Sequence, residues 1–231
     1  MAEGDVKSIP SSLLESAEKN LRRGQYEEAW PQCELLMASE ASWWRAHAVS
    51  GRVLLEWGKA TEDSGRLKRA VNRFDEALVL LRRVEHGDLT FDLSELLNDK
   101  GVALYELDEM GGACAAFEET LAVWPEHERA LCNMGLIHWI QEHTSTALSF
   151  FDRAIAAAGG TNPHSLNNRG ALRLDVLGGE EGALAALPDF HAAVALDPYY
   201  DVAIRNRDGA LTTLNEPVPM TAVVEFVALS T

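Results

Sequence analysis

Along most of the chain, apolar and small residues recur at intervals of three and four. Leu97, Gly101 and Leu104 form one such series, and Ala113, Phe117 and Leu121 another. These spacings place each series on one face of a helix. Paired glycines at Gly111-Gly112 and Gly178-Gly179 interrupt the pattern, and turns are expected there. The pattern predicts helices over about 10–23, 26–39, 42–62, 66–83, 92–107, 110–122, 126–140, 144–157, 162–176, 182–196 and 199–214. The connection Val84–Thr90, with Gly87-Asp88, is long. Pro217 and Pro219 break the chain after the last helix. In Thr221–Leu229, rich in Ala and Val with Phe226, periodicity does not separate a strand, a short helix and an irregular end.

The helices repeat in pairs. Three strings resemble one another: Leu97-Asn98-Asp99-Lys100-Gly101, Leu131-Cys132-Asn133-Met134-Gly135 and Leu166-Asn167-Asn168-Arg169-Gly170. Their glycines are 34 and then 35 residues apart. A second set follows each: Ala113, Phe117 and Pro125, then Ala147, Phe151 and Ala154, then Ala186, Phe190, Ala193 and Pro198. The last set arrives four residues later than a strict period, and a turn at Gly178–Glu181 is expected to absorb the excess. The small residue lets the paired helix approach closely, and the Ala supplies a matching small surface. The Phe is expected to fill space toward the neighbouring unit, and the Pro stops the second helix.

These residues resemble the tetratricopeptide repeat (TPR) family, whose helix-turn-helix unit of about 34 residues carries a small residue, then Ala…Phe…Ala…Pro. The resemblance covers residues 94–200, about three units, and extends less regularly toward the N-terminus. There Gly24-Gln25-Tyr26-Glu27-Glu28-Ala29 looks like a turn and second helix, with Ala17 in the small-residue place and Cys33 where Phe is usual. Ala70, Phe74 and Ala77 look like another second helix. Its first helix, Ser42 to about Thr61, lies about seven residues further away than the family period, which requires extended helices or an enlarged loop. Tyr199–Leu214 resembles one more first-type helix, a solvating cap.

The resemblance implies an all-α, right-handed α-solenoid of about five TPR-like repeats plus a C-terminal capping helix. Residues 1–9 are then a flexible N-terminus. Units fall near 10–41, 42–90, 94–127, 128–161 and 163–200, with the cap at 199–214 and a tail at 215–231. It also implies that the first helices line a concave groove. In the family the residue two before the small Gly is often an Asn facing that groove; here the places hold Asp99, Asn133 and Asn168, with Asn206 in the cap. An Asn carries both donor and acceptor and can clamp a peptide amide; bonding to a neighbouring helix is the alternative. Adjacent turns add Asn98, Tyr105, Arg129, Trp139, His164, Asn167, Asp175 and Arg205. Tyr105 and Trp139 are candidate aromatic anchors. Trp43, Trp44, Trp57 and Trp124 read as packing residues.

Some family members bind the acidic tails of heat-shock chaperones through a clamp of two Lys, two Asn and one Arg. The corresponding places hold Asn98, Val102, Asn133, His164 and Asn168, of which only Asn133 matches. A window at the N-terminal unit starts with Leu14 and Glu18. Chaperone tails are therefore not the expected partners.

Charge agrees. The chain of 231 residues carries 20 Lys+Arg against 36 Asp+Glu, a net charge of −16. Residues 1–93 hold 13 basic and 16 acidic side chains, net −3; residues 94–231 hold 7 and 20, net −13. Such a field attracts basic partners and disfavours a phosphate-backbone binder. The basic run Arg66, Lys68, Arg69, Arg73, Arg82-Arg83 reads as a solvated, ion-paired helix face. No secretory leader or membrane-length apolar run is read, and three cysteines, Cys33, Cys114 and Cys132, suit a reducing compartment. The expectation is a cytoplasmic protein without membrane or nucleic-acid partners.

Catalytic signatures are missing: there is no phosphate loop, nucleophile elbow or His-Glu-x-x-His helix. Cys114, His127, Cys132, His138 and His143 lack metal-knuckle spacing, and no metal or cofactor is expected. The sequence reads as a non-enzymatic adaptor holding a basic or neutral peptide or helix in the groove. The alternative is a structural subunit that uses its convex face or its tail. An enzyme with an undetected site would require a deep polar pocket.

Overall fold

The computed structural model describes residues 9–85 and 87–215. These form eleven helices: α1 (Ile9–Arg22), α2 (Tyr26–Ser39), α3 (Trp44–Thr61), α4 (Ser64–Leu81), α5 (Thr90–Glu106), α6 (Met110–Val123), α7 (Glu128–Ile140), α8 (Thr144–Ala157), α9 (Pro163–Leu177), α10 (Gly179–Leu196) and α11 (Asp201–Asn215). No strand occurs among the described residues. The expected flexible N-terminus and tail lie outside them, apart from Ile9 and Asn215 at the helix ends.

Local chemistry sets the helix starts. Asp63 caps α4 by accepting from the Gly65 and Arg66 amides at 2.8 and 3.1 Å. Asn162 caps α9 in the same way, from His164 and Ser165 at 2.9 and 3.1 Å, with Pro163 preset for the first turn. His127 Nδ1 accepts from the Ala130 amide at 3.2 Å ahead of α7. Gly178, at φ 66° and ψ 169°, both ends α9 and starts α10. Only glycine holds such a conformation without strain.

Two boundaries differ from the sequence expectation. The excess residues before Phe190 do not form a turn. Gly179–Glu181 are helical, and α10 reaches 18 residues where α6 and α8 have 14. The glutamates favour this, because negative charge in a first turn complements the helix dipole. In the second unit the longer spacing lies in the helices. α3 and α4 have 18 residues each, joined through Glu62-Asp63.

The described helices divide into two compact units, α1–α6 and α7–α11. In the first, α1 pairs with α2, α3 with α4 and α5 with α6. In the second, α7 pairs with α8 and α9 with α10, while α11 lies on both α9 and α10. Each Phe was expected to reach toward the next unit. The structure adds that each ring lies on the glycine of its own helix pair, and Phe190 also shares a cluster with Ala210 of α11 and Trp139 of α7. A Cβ added at Gly51, Gly101, Gly135 or Gly170 would stand 2.6, 2.5, 2.6 or 2.8 Å from Phe74, Phe117, Phe151 or Phe190 respectively. All four rings are fully buried. The small residue and the aromatic are therefore one packing device, a ring seated on bare backbone. In the first pair Cys33 takes the ring's place, buried among Ala17, Ala29 and Leu36.

The basic run is largely engaged within its own unit. Arg66 pairs with Asp63 and stacks on Trp57 at 4.0 Å, and Arg73 binds Glu76 at 2.5 Å. Arg69 stacks on Trp30 at 4.8 Å, and Arg82 meets Glu119 at 2.5 Å.

Burial also sorts the thiols. Cys33 and Cys132 are buried, and Cys114 is half-buried. Burial pushes the Cys33 thiol up to about 11, and burial, with Glu118 adding to it, raises Cys114. Iodoacetamide at neutral pH should label Cys114 alone, and slowly, in the native protein; in urea all three cysteines should react. Native labelling of Cys33 seen by peptide mass spectrometry would contradict this packing.

Candidate functional site

The candidate groove residues sit on the first helix of each pair and on α11. The structure divides them into a buried set and an accessible set.

Asn98, Asp99, Asn133, Asn167 and Asn168 are fully buried, and Arg129 and Asn206 are 3% and 2% exposed. In the second unit three of the asparagines form a chain. Asn206 Nδ2 donates to Asn167 Oδ1 at 2.9 Å, and Asn167 Nδ2 to Asn168 Oδ1 at 3.2 Å. Asn168 Nδ2 then reaches Cys132 Sγ at 3.5 Å, which ties α11, α9 and α7 together. In the first unit Asp99 Oδ2 accepts from Arg52 Nε at 2.7 Å, α5 to α3. The expectation that these side chains look into an open groove is corrected by this burial. Within each unit neighbouring first helices pack side by side, and Asp99, Asn167, Asn168 and Asn206 turn toward those seams. Buried amides must find partners, and here adjacent helices supply them.

The register of Asn206 is also corrected. It stands three residues before Gly209, as Asn98, Cys132 and Asn167 stand three before Gly101, Gly135 and Gly170. It therefore corresponds to Asn167, its hydrogen-bond partner, and not to Asn168.

The accessible set lies nearer the helix ends. Trp139 on α7 is half-buried, and its Nε1 donates to Asp175 Oδ2 on α9 at 2.8 Å. The indole packs on a cluster of Ala171, Leu174, Ala183, Ala186, Phe190 and Ala210. Beside this pair, Ile140 and Val176 are 52% and 51% exposed. His164 is half-buried and meets the Tyr200 ring edge-on, with centroids 4.7 Å apart. Arg205 is exposed. In the first unit Tyr105 is half-buried. Burial, reinforced by Glu106 and Asp108, pushes its phenol up. Burial likewise raises the Glu106 carboxyl; Lys59 opposes the shift and Glu56 adds to it.

A recess of about 210 Å³ in the first unit was not foreseen. Residues of α1, α3 and α5 line it, among them Leu14, Glu18, Trp44, Arg52, Phe91 and Asp92. Trp44, read from sequence as a packing residue, is half-buried on its wall. The signal was the register. Counting six back from Gly51, Gly101, Gly135 and Gly170 gives Arg45, Glu95, Arg129 and His164, so Gly51 marks α3 as a first helix like the rest. The Asp99 charge raises the Arg52 guanidinium; burial opposes this, and Glu18 and Asp92 add to it.

Among the described residues, no group of three or more His, Cys, Asp or Glu side chains is placed to hold a metal ion. No helix among them is long and apolar enough to cross a membrane.

Successive helix pairs closed by a Phe on a Gly, the last three glycines 34 and 35 residues apart, give the helical-repeat fold seen in tetratricopeptide-repeat proteins. Solved structures of that class match most of the chain. TTC0263, a thermophilic TPR protein of Thermus thermophilus, superposes with a TM-score of 0.68 at 16% identity, over 88% of this chain and 99% of that one. The Pseudomonas aeruginosa PilF structure gives 0.64 at 19% identity, over 88% of each chain. YrrB, described as a TPR protein with an unusual peptide-binding site, gives 0.50 at 18% identity, over 87% of this chain and 92% of that one. No protein-family model matches the chain, and no curated protein matches it by sequence.

Proposed function

We propose that the protein is a non-enzymatic adaptor that holds a peptide or helical segment of another protein on the faces of its first helices. The Trp139–Asp175 pair carries this reading. An indole oriented by a hydrogen bond at 2.8 Å, flanked by half-exposed Ile140 and Val176, offers a rigid apolar anchor. Aromatic anchors of this kind supply much of the energy in peptide recognition. The buried asparagine chain keeps α7, α9 and α11 in register beneath it. The description of YrrB as a peptide-binding TPR protein points the same way. The net charge of −13 over residues 94–231 favours a basic or neutral segment and speeds its encounter.

The test begins with a peptide selected against the full chain from a random display library. Trp139→Ala should weaken its binding by about thirtyfold, the effect of a hot-spot residue, as read by fluorescence anisotropy. Asp175→Asn should weaken it by a smaller factor, because the amide oxygen still accepts from the indole. Unchanged affinity in Trp139→Ala, with helicity intact, would rule out this face.

A further inference from the structure

We infer that the recess between α1, α3 and α5 is a binding site for a lysine or arginine side chain. It lies in the first unit, on helices other than those carrying Trp139 and Asp175. As a subsite for a peptide segment it rests on the adaptor reading; as a cation site it stands alone.

The charges in the recess do not balance. Arg52 binds Asp99, which is fully buried beneath it, at 2.7 Å. Glu18 on α1 and Asp92 on α5 line the same recess and raise the Arg52 guanidinium, and among the described residues neither is in an ion pair with it at contact distance. With Glu95, four carboxylates thus stand against the two guanidinium groups of the recess, Arg52 and Arg45. The other guanidinium of the lining, Arg45, is exposed and lies over the Trp44 ring at 4.9 Å. Glu95 on α5 adds a half-buried carboxylate to the lining, and Leu14, Ala48, Val49 and Leu96 make its apolar wall. Phe91, 59% exposed, stands at the lining's edge.

A long aliphatic stem with a cationic head matches this arrangement. The stem rests on the apolar wall while the head reaches Glu18 and Asp92 and meets an aromatic face. An acidic side chain would be repelled by the carboxylates of the lining, and a purely apolar one would bury Glu18 and Asp92 without adding a counter-charge. The volume suits one side chain.

The test uses the full chain, labelled with ¹⁵N, and single-residue probes. N-acetyl-arginine methylamide and N-acetyl-lysine methylamide are titrated in turn, with N-acetyl-citrulline methylamide as the neutral isostere of arginine. The indole N–H resonance of Trp44, assigned by its loss in Trp44→Phe, is the readout. It should shift saturably with the two cationic probes. Binding should be about tenfold weaker for citrulline, the combined loss of a cation–π contact and exposed ion pairs. The pair Glu18→Gln and Asp92→Asn should weaken arginine by a similar factor while citrulline stays unchanged. An equal response to citrulline, or undiminished arginine binding in the double variant, would overturn the site. Should the double variant lose its native spectrum, the single variant Asp92→Asn replaces it with the same two readings. The Trp139 indole resonance reports separately on the adaptor face, so a failure here leaves that reading standing.

Discussion

Phe151→Ala should destabilise the protein by about 3–5 kcal/mol, among the largest effects of any single substitution. The ring is fully buried and rests directly on Gly135. Its removal leaves a void against rigid backbone, which cannot collapse to fill the space. For a chain of this size the melting temperature should fall by roughly 6–20 °C. Gly135→Ala attacks the same contact from the other side. Its Cβ would stand 2.6 Å from Phe151 Cε1 and 2.7 Å from Cδ1, so the ring must move, at about 1–3 kcal/mol. Combining Gly135→Ala with Phe151→Leu should cost less than the sum of the two, because the shorter side chain makes room for the methyl. A coupling of about 1 kcal/mol is expected in urea denaturation. Strict additivity would show that ring and glycine are not one device.

The second large effect is expected at Asp189. Its side chain is 4% exposed and stands between two arginines. Arg169 donates from Nε and Nη2 at 3.0 and 2.6 Å, and Arg173 from Nη1 at 2.8 Å. These bonds hold the Arg169 guanidinium charged well above its usual range; burial opposes the shift, and Asp152 adds to it. Asp189→Ala leaves two guanidinium groups facing a buried gap, and should cost about 3–5 kcal/mol. Salt should rescue little of that loss, since buried charges are weakly screened. The contrast is Arg82→Ala. Arg82 and Glu119 are 54% and 50% exposed at 2.5 Å. That pair should contribute at most about 1 kcal/mol, and adding salt to roughly 0.5 M should remove what it contributes. Urea midpoints measured at two salt concentrations separate the cases. If the Asp189→Ala loss is recovered in salt, the ion cluster acts as an exposed one.

The polar residues show what linear spacing leaves open. The asparagines near each glycine are recognisable by place, but two readings stand for them, a peptide clamp and a seam between helices. Spacing along a helix gives the face a residue shares; it does not say whether a neighbouring helix covers that face. The structure answers through burial, with Asn167, Asn168 and Asn206 bonded to one another or to Cys132. Trp139 and Asp175, two turn-end residues named separately from the sequence, come together at 2.8 Å although 36 positions separate them. The register marks α3 as a first helix, but the recess itself is not legible in the sequence for a related reason. Leu14, Arg52 and Asp92 belong to three helices, and no local pattern joins them.

The chain by itself determined the helical pairs, their order and their turns. These follow from a period of three and four, from Gly and Pro, and from caps that act within a few residues. It also determined the Gly and Phe places, because each pair closes within one repeat. Only the tertiary structure decided which surfaces meet. It seats each Phe on its own glycine, adds a turn to α10, covers the asparagines and gathers the charges around Arg52. Each of these depends on how successive helices lie against one another. That is settled by close packing of whole side chains, a three-dimensional fit that sequence spacing does not encode.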